Sequence, residues 1–239
     1  MIFLLSKKRW AGNEKEMGKN WDQNPIYVID FEGSVRSGIV EYGIVALLGC
    51  QIEGVETRIC QPTGRIVPSE LETHGISLGD SLDTAPFSDE WERFASIREK
   101  GPLVAHYASA ENSMLKSVFA YPRVSKNWVR PGESIADWGP WLDTWSLYKT
   151  IATEGDSLNL QTLVRKNRLQ DELDEIAQTL CPEGRQSYHC ALYDALASAL
   201  LLIAFCQDIK GGQIDFQQLA ILSKSGYEQR KSASQSELF

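Results

Sequence analysis

The sequence is poor in histidine and has no closely paired cysteines. Its 239 residues include only three histidines and five cysteines, and no two cysteines stand in CxxC spacing. Structural zinc sites and the disulfides of secreted domains both need recurring cysteines, so this pattern argues against either. We therefore predict a cytoplasmic protein whose cysteines are reduced thiols: Cys50, Cys60, Cys181, Cys190 and Cys206.

Positive charge is also scarce. The chain has 24 Lys and Arg against 32 Asp and Glu, which gives a formal net charge of −8. A general basic surface for nucleic acid needs many Lys and Arg contacts to phosphate, so the composition argues against that mode of binding. The composition does not exclude substrates that contain phosphate, because divalent cations held by several acids reverse the local sign of the charge.

Long apolar segments are missing as well. The opening MIFLLSKKRW has its apolar residues before its charges, unlike a signal peptide, and the run ALASALLLIAF at 195–205 is too short to span a bilayer. We therefore predict no membrane association. The length suits one core domain at 25–210, with a polar lead-in at 1–24 and a C-terminal helix with a disordered tail at 211–239.

Three strands are predicted at the start of the core domain. The segments IYVIDFE, GIVEYGIVALLG and VETRICQPT alternate or run apolar and are joined by short turns containing glycine, as in an antiparallel meander. Helical segments follow, together with a short apolar strand PLVAHY, and a long apolar helix begins at Ala191. This order predicts a mixed α/β sheet with helices on both faces.

Three acidic residues are candidates for a site because of the sequence around them, two in the first strand and one at the start of a helix. In the first strand the period of two places Asp30 and Glu32 on one face, roughly 7 Å apart along the backbone. Two carboxylates so close repel one another unless a cation lies between them. Glu111 falls in the first turn of the helix after PLVAHY. Alone, the pair could be a strand end in solvent and Glu111 an acid at a helix N-terminus.

The segment SYHCALYD adds a histidine and a fourth acid. Asp194 lies in the first turns of a helix that is apolar almost all round, where an unpaired carboxylate costs several kcal/mol. His189 precedes it by five residues, so the two cannot share a face of one regular helix. They can converge if His189 lies in the loop before the helix. A solvated strip on the helix is the alternative for Asp194.

The order of these motifs resembles the DEDDh 3′–5′ exonucleases. A DxE at a strand end, an Ala-His strand followed by a helix with an acid five residues after the histidine, and HxxxxD opening an apolar helix all occur in that order, from about Ile26 to Cys206. The stretches ETHGISLGDSLDTAPF and WLDTWSLYK resemble further family elements. The resemblance implies a ribonuclease H-like fold with a five-stranded mixed sheet, and an exonuclease domain at 25–210.

The resemblance also implies the chemistry. Two Mg²⁺ or Mn²⁺ ions would be held by Asp30, Glu32, Glu111 and Asp194, with Asp30 bridging both ions and His189 acting as general base. The substrate would be a single-stranded or frayed 3′ end of DNA, hydrolysed to 5′-mononucleotides, with RNA as the alternative. Candidate substrate contacts are Gly33, Ser34, His74, His106 and Tyr107, of which Tyr107 could stack on a base.

Three features leave alternatives open. Glu111 stands where the family usually has aspartate, and GSVRSG replaces the family's Thr-Thr-Gly, so a catalytically degenerate nucleic-acid-binding domain is a competing hypothesis. His74 and His106 could be structural histidines of the core. Four basic residues could bind the nucleic acid backbone or simply form a solvated charged face: Lys116, Arg123, Lys126 and Arg130.

Overall fold

The computed structural model describes residues 24–208 and 214–223. The predicted lead-in at 1–24, except its last residue, and the predicted tail after residue 223 lie outside this range. Five strands of the described chain form the main sheet: β1 (Ile26–Ser34), β2 (Gly38–Leu48), β3 (Gln51–Ile59), β4 (Leu103–Ala105) and β7 (Leu142–Asp143). A separate two-stranded sheet consists of β5 (Ser125–Lys126) and β6 (Ser134–Ile135).

The main sheet has the order β3-β2-β1-β4-β7. β1 pairs antiparallel with β2, and β2 pairs antiparallel with β3, so the predicted meander is confirmed. β4 lies parallel to β1, and β7 lies parallel to β4. The sheet is therefore mixed. The carboxyl ends of β1, β4 and β7 meet at one edge, which is where open α/β sheets bind ligands.

Helices connect and cover the strands. They are α1 (Pro68–His74), α2 (Leu78–Ser81), a 3-10 helix (Phe87–Glu90), α3 (Trp91–Lys100), α4 (Ala108–Val118), α5 (Thr144–Lys149), α6 (Leu160–Lys166), α7 (Gln170–Leu180), α8 (Ala191–Asp208) and α9 (Phe216–Leu222). The sequence pattern does not predict α1 or α2. α1 begins with Pro68 and ends at Gly75, whose φ of 70° is the left-handed conformation that commonly ends helices.

The two faces of the sheet carry separate hydrophobic cores. On one face Ile26, Val28, Val45 and Leu47 pack against α8 and the helices beside it. On the other, Ile29 and its alternating neighbours pack against the 3-10 helix, α3 and α4 in a cluster rich in aromatic rings. Helices thus cover both faces, as predicted, and the strand period of two assigns each residue of β1 to one core or the other.

α8 is the central helix of the first core. It has 18 residues with a mean hydropathy of 1.4, so by length and composition alone it could cross a membrane, unlike the 11-residue apolar run inside it. Within the fold, however, 78% of this segment is buried. Each leucine that it buries contributes roughly 1.5–3 kcal/mol to folding, which explains an apolar composition on all sides.

Candidate active site

Two strands place acidic residues at the carboxyl end of β1. Asp30 pairs in register with Gly43 of β2, and Glu32 pairs directly with Glu41. Glu32 is only 8% exposed and Glu41 only 2%, so this strand end does not run out into solvent. Two buried carboxylates opposite one another are unfavourable without compensating charge.

The start of α8 brings His189 and Asp194 to the same place. His189 has a φ of 66°, and its backbone N–H donates to Asp194 Oδ2 at 3.0 Å. Ligand atoms of Glu32, His189 and Asp194 all lie within 4.8 Å of one another. The histidine therefore lies in the loop before the helix, as the spacing predicts, and its exposed ring faces a group of buried carboxylates.

A glycine allows this close approach. A Cβ atom built on Gly43 would lie 2.3 Å from the carbonyl oxygen of Ala191, the first residue of α8. Since real Cβ atoms do not come so near, any side chain at position 43 would push the helix away from β2 and from the neighbouring β1. Gly43 is thus what lets the start of α8 lie against the strand that carries Asp30.

Glu111 reaches the site from the first turn of α4. The residue is 7% exposed, and the backbone of Phe31 on β1 hydrogen bonds to its carboxyl group. Glu111 Oε2 and Asp194 Oδ1 are buried and have no hydrogen-bond partner among the described residues. Unpaired buried oxygens are costly, and a cation would satisfy both.

The carboxyl groups raise one another's pKa. Desolvation and then repulsion by Asp194 and Glu41 raise the pKa of Glu32 to about 8, and desolvation and Glu32 raise that of Glu111 to about 8. Desolvation likewise raises the pKa of Asp194 to about 7.

Desolvation and repulsion by Glu111 raise the pKa of Asp30 well above its usual range. Asp30 is partly accessible to solvent, and Asp194, Glu32 and Glu41 add to the repulsion. Asp30, Glu32, Glu111 and Asp194 offer hard oxygen ligands, two of them with unsatisfied buried atoms. The donor set therefore fits Mg²⁺ or Mn²⁺.

This repulsion predicts how stability depends on pH. Carboxyl groups with raised pKa values bind more protons in the folded than in the unfolded state, so in EDTA the free energy of unfolding should fall between about pH 4 and about pH 8. Thermal melting should show a Tm that decreases across this range, and Mg²⁺ should raise Tm most near pH 8. Glu32→Gln should flatten the profile. A Tm in EDTA that is constant or rises with pH would contradict the assignment.

The sequence pattern does not single out Glu41 or Arg185, which form an ion pair next to these acids. The guanidinium of Arg185 donates to both carboxylate oxygens of Glu41, and it also donates to the carbonyl oxygen of His74 at 2.6 Å. A charged residue inside the apolar strand GIVEYGIVALL is the signal that could have drawn attention to Glu41. Arg185 lies in a polar loop and gives no comparable signal.

Gly33 and Ser34 lie beside the acidic group, at the end of β1. Gly33 has a φ of 117°, and a Cβ there would meet the carbonyl oxygen of Gly38 at 2.3 Å. The Ser34 hydroxyl accepts from the backbone N–H groups of Arg36 and Ser37. These contacts stabilise the turn between β1 and β2, and substrate binding by this turn stays a prediction.

The two other histidines have contacts within the fold. His74 is 3% exposed, and its Nδ1 accepts from the backbone N–H of Ile76. Both ring nitrogens of His106 are engaged, Nδ1 with Thr144 Oγ1 and Nε2 with the carbonyl oxygen of Leu158, each at 2.9 Å. These contacts support the structural alternative for His106, whereas Nε2 of His74 is buried and has no hydrogen-bond partner among the described residues.

The side chain of Tyr107 is exposed, whereas the four basic residues contact neighbouring side chains. Tyr107 is 53% exposed, and its ring meets Trp145 edge to face with centroids 5.7 Å apart. The basic residues instead have partners on the surface, where Lys116 pairs with Asp137, Arg123 with Glu92 and Glu99, and Arg130 with Glu133, while Lys126 lies over the Trp128 ring. Their contacts fit a solvated charged face.

No family model and no curated protein sequence matches the chain. Its fold is similar to solved structures of exonucleases. For exonuclease X in complex with 5′-overhanging duplex DNA, the identity is 20% and the TM-score 0.60, over 83% of this chain and 99% of that chain. For E. coli exonuclease I in complex with a dT13 oligonucleotide, the identity is 13% and the TM-score 0.55, over 78% of this chain and 41% of that chain.

A third similar structure is a 3′-exonuclease with specific recognition of the 3′ end of a histone mRNA stem-loop. Its identity is 14% and its TM-score 0.59, over 83% of this chain and 68% of that chain. The chain thus spans nearly all of exonuclease X and less than half of exonuclease I. The chain has the ribonuclease H-like α/β fold of these exonucleases, and this is the fold that the sequence resemblance implies.

Proposed function

We propose that the chain is a metal-dependent 3′–5′ exonuclease that hydrolyses the phosphodiester bonds of DNA and releases 5′-mononucleotides. One observation carries the proposal: Glu32 and Asp194 converge with the exposed His189 at the sheet edge, and Asp30 and Glu111 lie near enough to these acids to be raised in pKa by them. Three similar exonuclease folds add support. Hydrolysis of a phosphodiester needs what this group offers, namely ligands for cations and a base for the attacking water.

Each residue of the site would have a role that follows from its position. Asp30, Glu32, Glu111 and Asp194 would hold two divalent cations, which supply charge neutralisation and water activation when bound. His189 would accept the proton of the attacking water. Its ring lies within 4.8 Å of the carboxylate oxygens of Glu32 and Asp194, and its exposure lets the proton pass on to solvent. The hydrogen bond from the His189 backbone to Asp194 fixes the loop relative to the ligands.

An aromatic surface next to the site would bind the nucleic acid strand. Tyr107 lies one helical turn before Glu111 and contacts Trp145, and Lys149 lies 4.8 Å from the centroid of the Trp145 ring. Asp143 Oδ1 accepts from the backbone N–H groups of Tyr107 and Trp145, so β7 holds both residues. Rings that can stack on bases beside a cation that can contact phosphate are typical of single-strand binding sites.

Removing the Tyr107 ring should weaken substrate binding more than turnover. Tyr107→Asn keeps a residue that tolerates the observed φ of 65° while removing the ring. The loss of one stacked base should raise KM for single-stranded DNA by roughly tenfold and leave kcat within about twofold. Tyr121→Asn is the matched control, since Tyr121 is 67% exposed, follows the far end of α4 and contacts Trp91 through its backbone carbonyl. An unchanged KM in Tyr107→Asn would contradict this role.

RNA is the second candidate substrate. The similar 3′-exonuclease that recognises a histone mRNA stem-loop favours it, and none of the contacts described above distinguishes ribose from deoxyribose. End-labelled single-stranded DNA, duplex DNA and RNA, each with Mg²⁺, Mn²⁺ or EDTA, would test the proposal directly. Shortening from the 3′ end of DNA that EDTA stops is the expected result.

The competing hypothesis of a degenerate binding domain makes a different prediction for the same assay. Such a domain would bind the strands without shortening any of them. The unsatisfied oxygens of Glu111 and Asp194 and the exposed ring of His189 argue against it, because a scaffold has no need for buried, unpaired carboxylates. Glu111, although longer than aspartate, reaches the group.

A further inference from the structure

We propose that Arg185 and Glu41 form a clamp that positions His189 for the reaction without either residue touching the substrate. This inference rests on the proposed nuclease function, since it assigns positioning residues to that site. The clamp joins β2 to the loop before α8, across 144 positions of the chain. Its side chains are largely buried, at 17% exposure for Arg185 and 2% for Glu41.

Arg185 contacts the side chain of Glu41 and two backbone carbonyl groups. Its Nε and Nη2 donate to the two oxygens of Glu41, and its Nη1 donates to the carbonyl oxygen of His74 at 2.6 Å. Nη2 also lies 3.4 Å from the carbonyl oxygen of His189. The planar guanidinium presents its donors in a rigid fork, so these contacts define one orientation of the loop.

Glu41 holds the other side of the same loop. Its Oε2 accepts from the backbone N–H of Ala191 at 2.9 Å, in addition to the guanidinium. The backbone on both sides of Cys190 is therefore tied to one ion pair. His189 is the residue that needs this support, because its φ of 66° is unfavourable for a side chain other than glycine.

The ion pair with Glu41 also keeps the guanidinium of Arg185 away from the carboxylates of Glu32 and Asp194. The Arg185 charge is near enough to lower the pKa values of Glu32 and Asp194 against the larger effect of desolvation. Without Glu41, the guanidinium would be free to pair with these two acids and compete with cations for them. Glu41 itself has both oxygens engaged, so it is not a further metal ligand.

Two conservative variants test the clamp. Arg185→Lys keeps the charge but loses the fork, and Glu41→Gln keeps the shape but loses the charge. A misplaced base should lower kcat by roughly 10–100-fold in either variant, with KM for DNA within about twofold. The double variant should lose little more than either single one, because both remove the same interaction. Arg93→Lys, which alters a similar contact to Glu56 away from the site, should keep parental kcat.

Exogenous guanidinium gives a second readout. Arg185 and Glu41 line a cavity of about 310 Å³ together with residues of β3 and α2, so a small cation can reach the space left by Arg185→Ala. Guanidinium at concentrations below those that denature should restore part of kcat in Arg185→Ala, and equal concentrations of sodium should not. A residue with a merely structural role would show a lower Tm without this rescue.

Hydrogen exchange separates the clamp from the nuclease proposal. In the parent, the segment 186–191 should exchange slowly, and Arg185→Lys and Glu41→Gln should each raise its exchange rate by roughly tenfold. Hydrogen exchange can be measured without any nuclease activity. If the parent does not cut DNA but the variants still exchange faster than it does, the proposed function is refuted and the clamp is supported. Parental kcat together with parental exchange in Arg185→Lys would overturn the clamp.

Discussion

Replacing Asp30 with alanine will abolish hydrolysis and leave the protein folded. Asp30 is the residue on which four other acids act, because desolvation and repulsion by Glu111, Asp194, Glu32 and Glu41 all raise the pKa of its carboxyl group. Removing it should lose the cations and also relieve this repulsion. Turnover on single-stranded DNA should fall by more than about 10³-fold, while Tm in EDTA should hold steady or rise.

Two further variants test whether the effect of Asp30→Ala comes from the loss of charge at this position. Asp30→Asn keeps the size of the side chain and should lose activity to the same extent, because an amide supplies no charge for the cations. Glu53→Ala removes an exposed acid near the start of β3, at the opposite end of the sheet, and should keep parental turnover. Undiminished nuclease activity in a well-purified Asp30→Ala sample would refute the proposal that two cations are held here.

His189→Ala should lose roughly 10²–10⁴-fold in kcat, which is the usual contribution of a general base. Metal binding should persist, since the side-chain oxygens of the four acids stay in place. DNA binding should persist as well, because the aromatic surface is formed by Tyr107, just before α4, and Trp145 on α5. Calorimetric titration with Mn²⁺ and fluorescence binding with labelled DNA would measure the two affinities.

Asp194→Asn should behave differently from His189→Ala. The amide removes a charge from the ligand set, so the affinity for Mn²⁺ itself should fall. The amide keeps an oxygen that can accept from the His189 backbone, so the loop should stay in position. If His189→Ala loses metal affinity as severely as Asp194→Asn, or keeps near-parental turnover, the histidine is not the base.

Local patterns predicted the parts of the fold whose periodicity is strong. β1 and β2 run as predicted because their alternating residues serve two separate cores, and α8 begins at the predicted Ala191. The short helices α1 and α2 escaped prediction because they have few apolar residues to bury. Their formation rests on end effects such as Pro68 and the capping contact of Glu70 with the Val67 backbone.

Asp194 drew attention because a carboxylate in apolar surroundings needs a partner, whereas the other acids of the site were proposed from the order of the motifs and the family resemblance. The same reasoning applies to Glu41, which is charged within an apolar strand, but no local residue offers its counter-charge. Arg185 lies 144 positions away, and only the pairing of β2 with the start of α8 brings the two together. The ring contacts of His106 with Thr144 and Leu158 likewise span distant segments.

The long separation between β2 and α8 has a consequence for how the chain reaches this structure. The face of β1 and β2 that carries Val28 and Val45 finds its main cover only in a helix that begins some 150 positions after Glu41. A protein dominated by such distant contacts folds slowly, because the intervening chain must be closed into a loop before those contacts form. During synthesis on the ribosome, this apolar face stays exposed until α8 emerges, and apolar surface exposed in this way promotes aggregation of the unfinished chain.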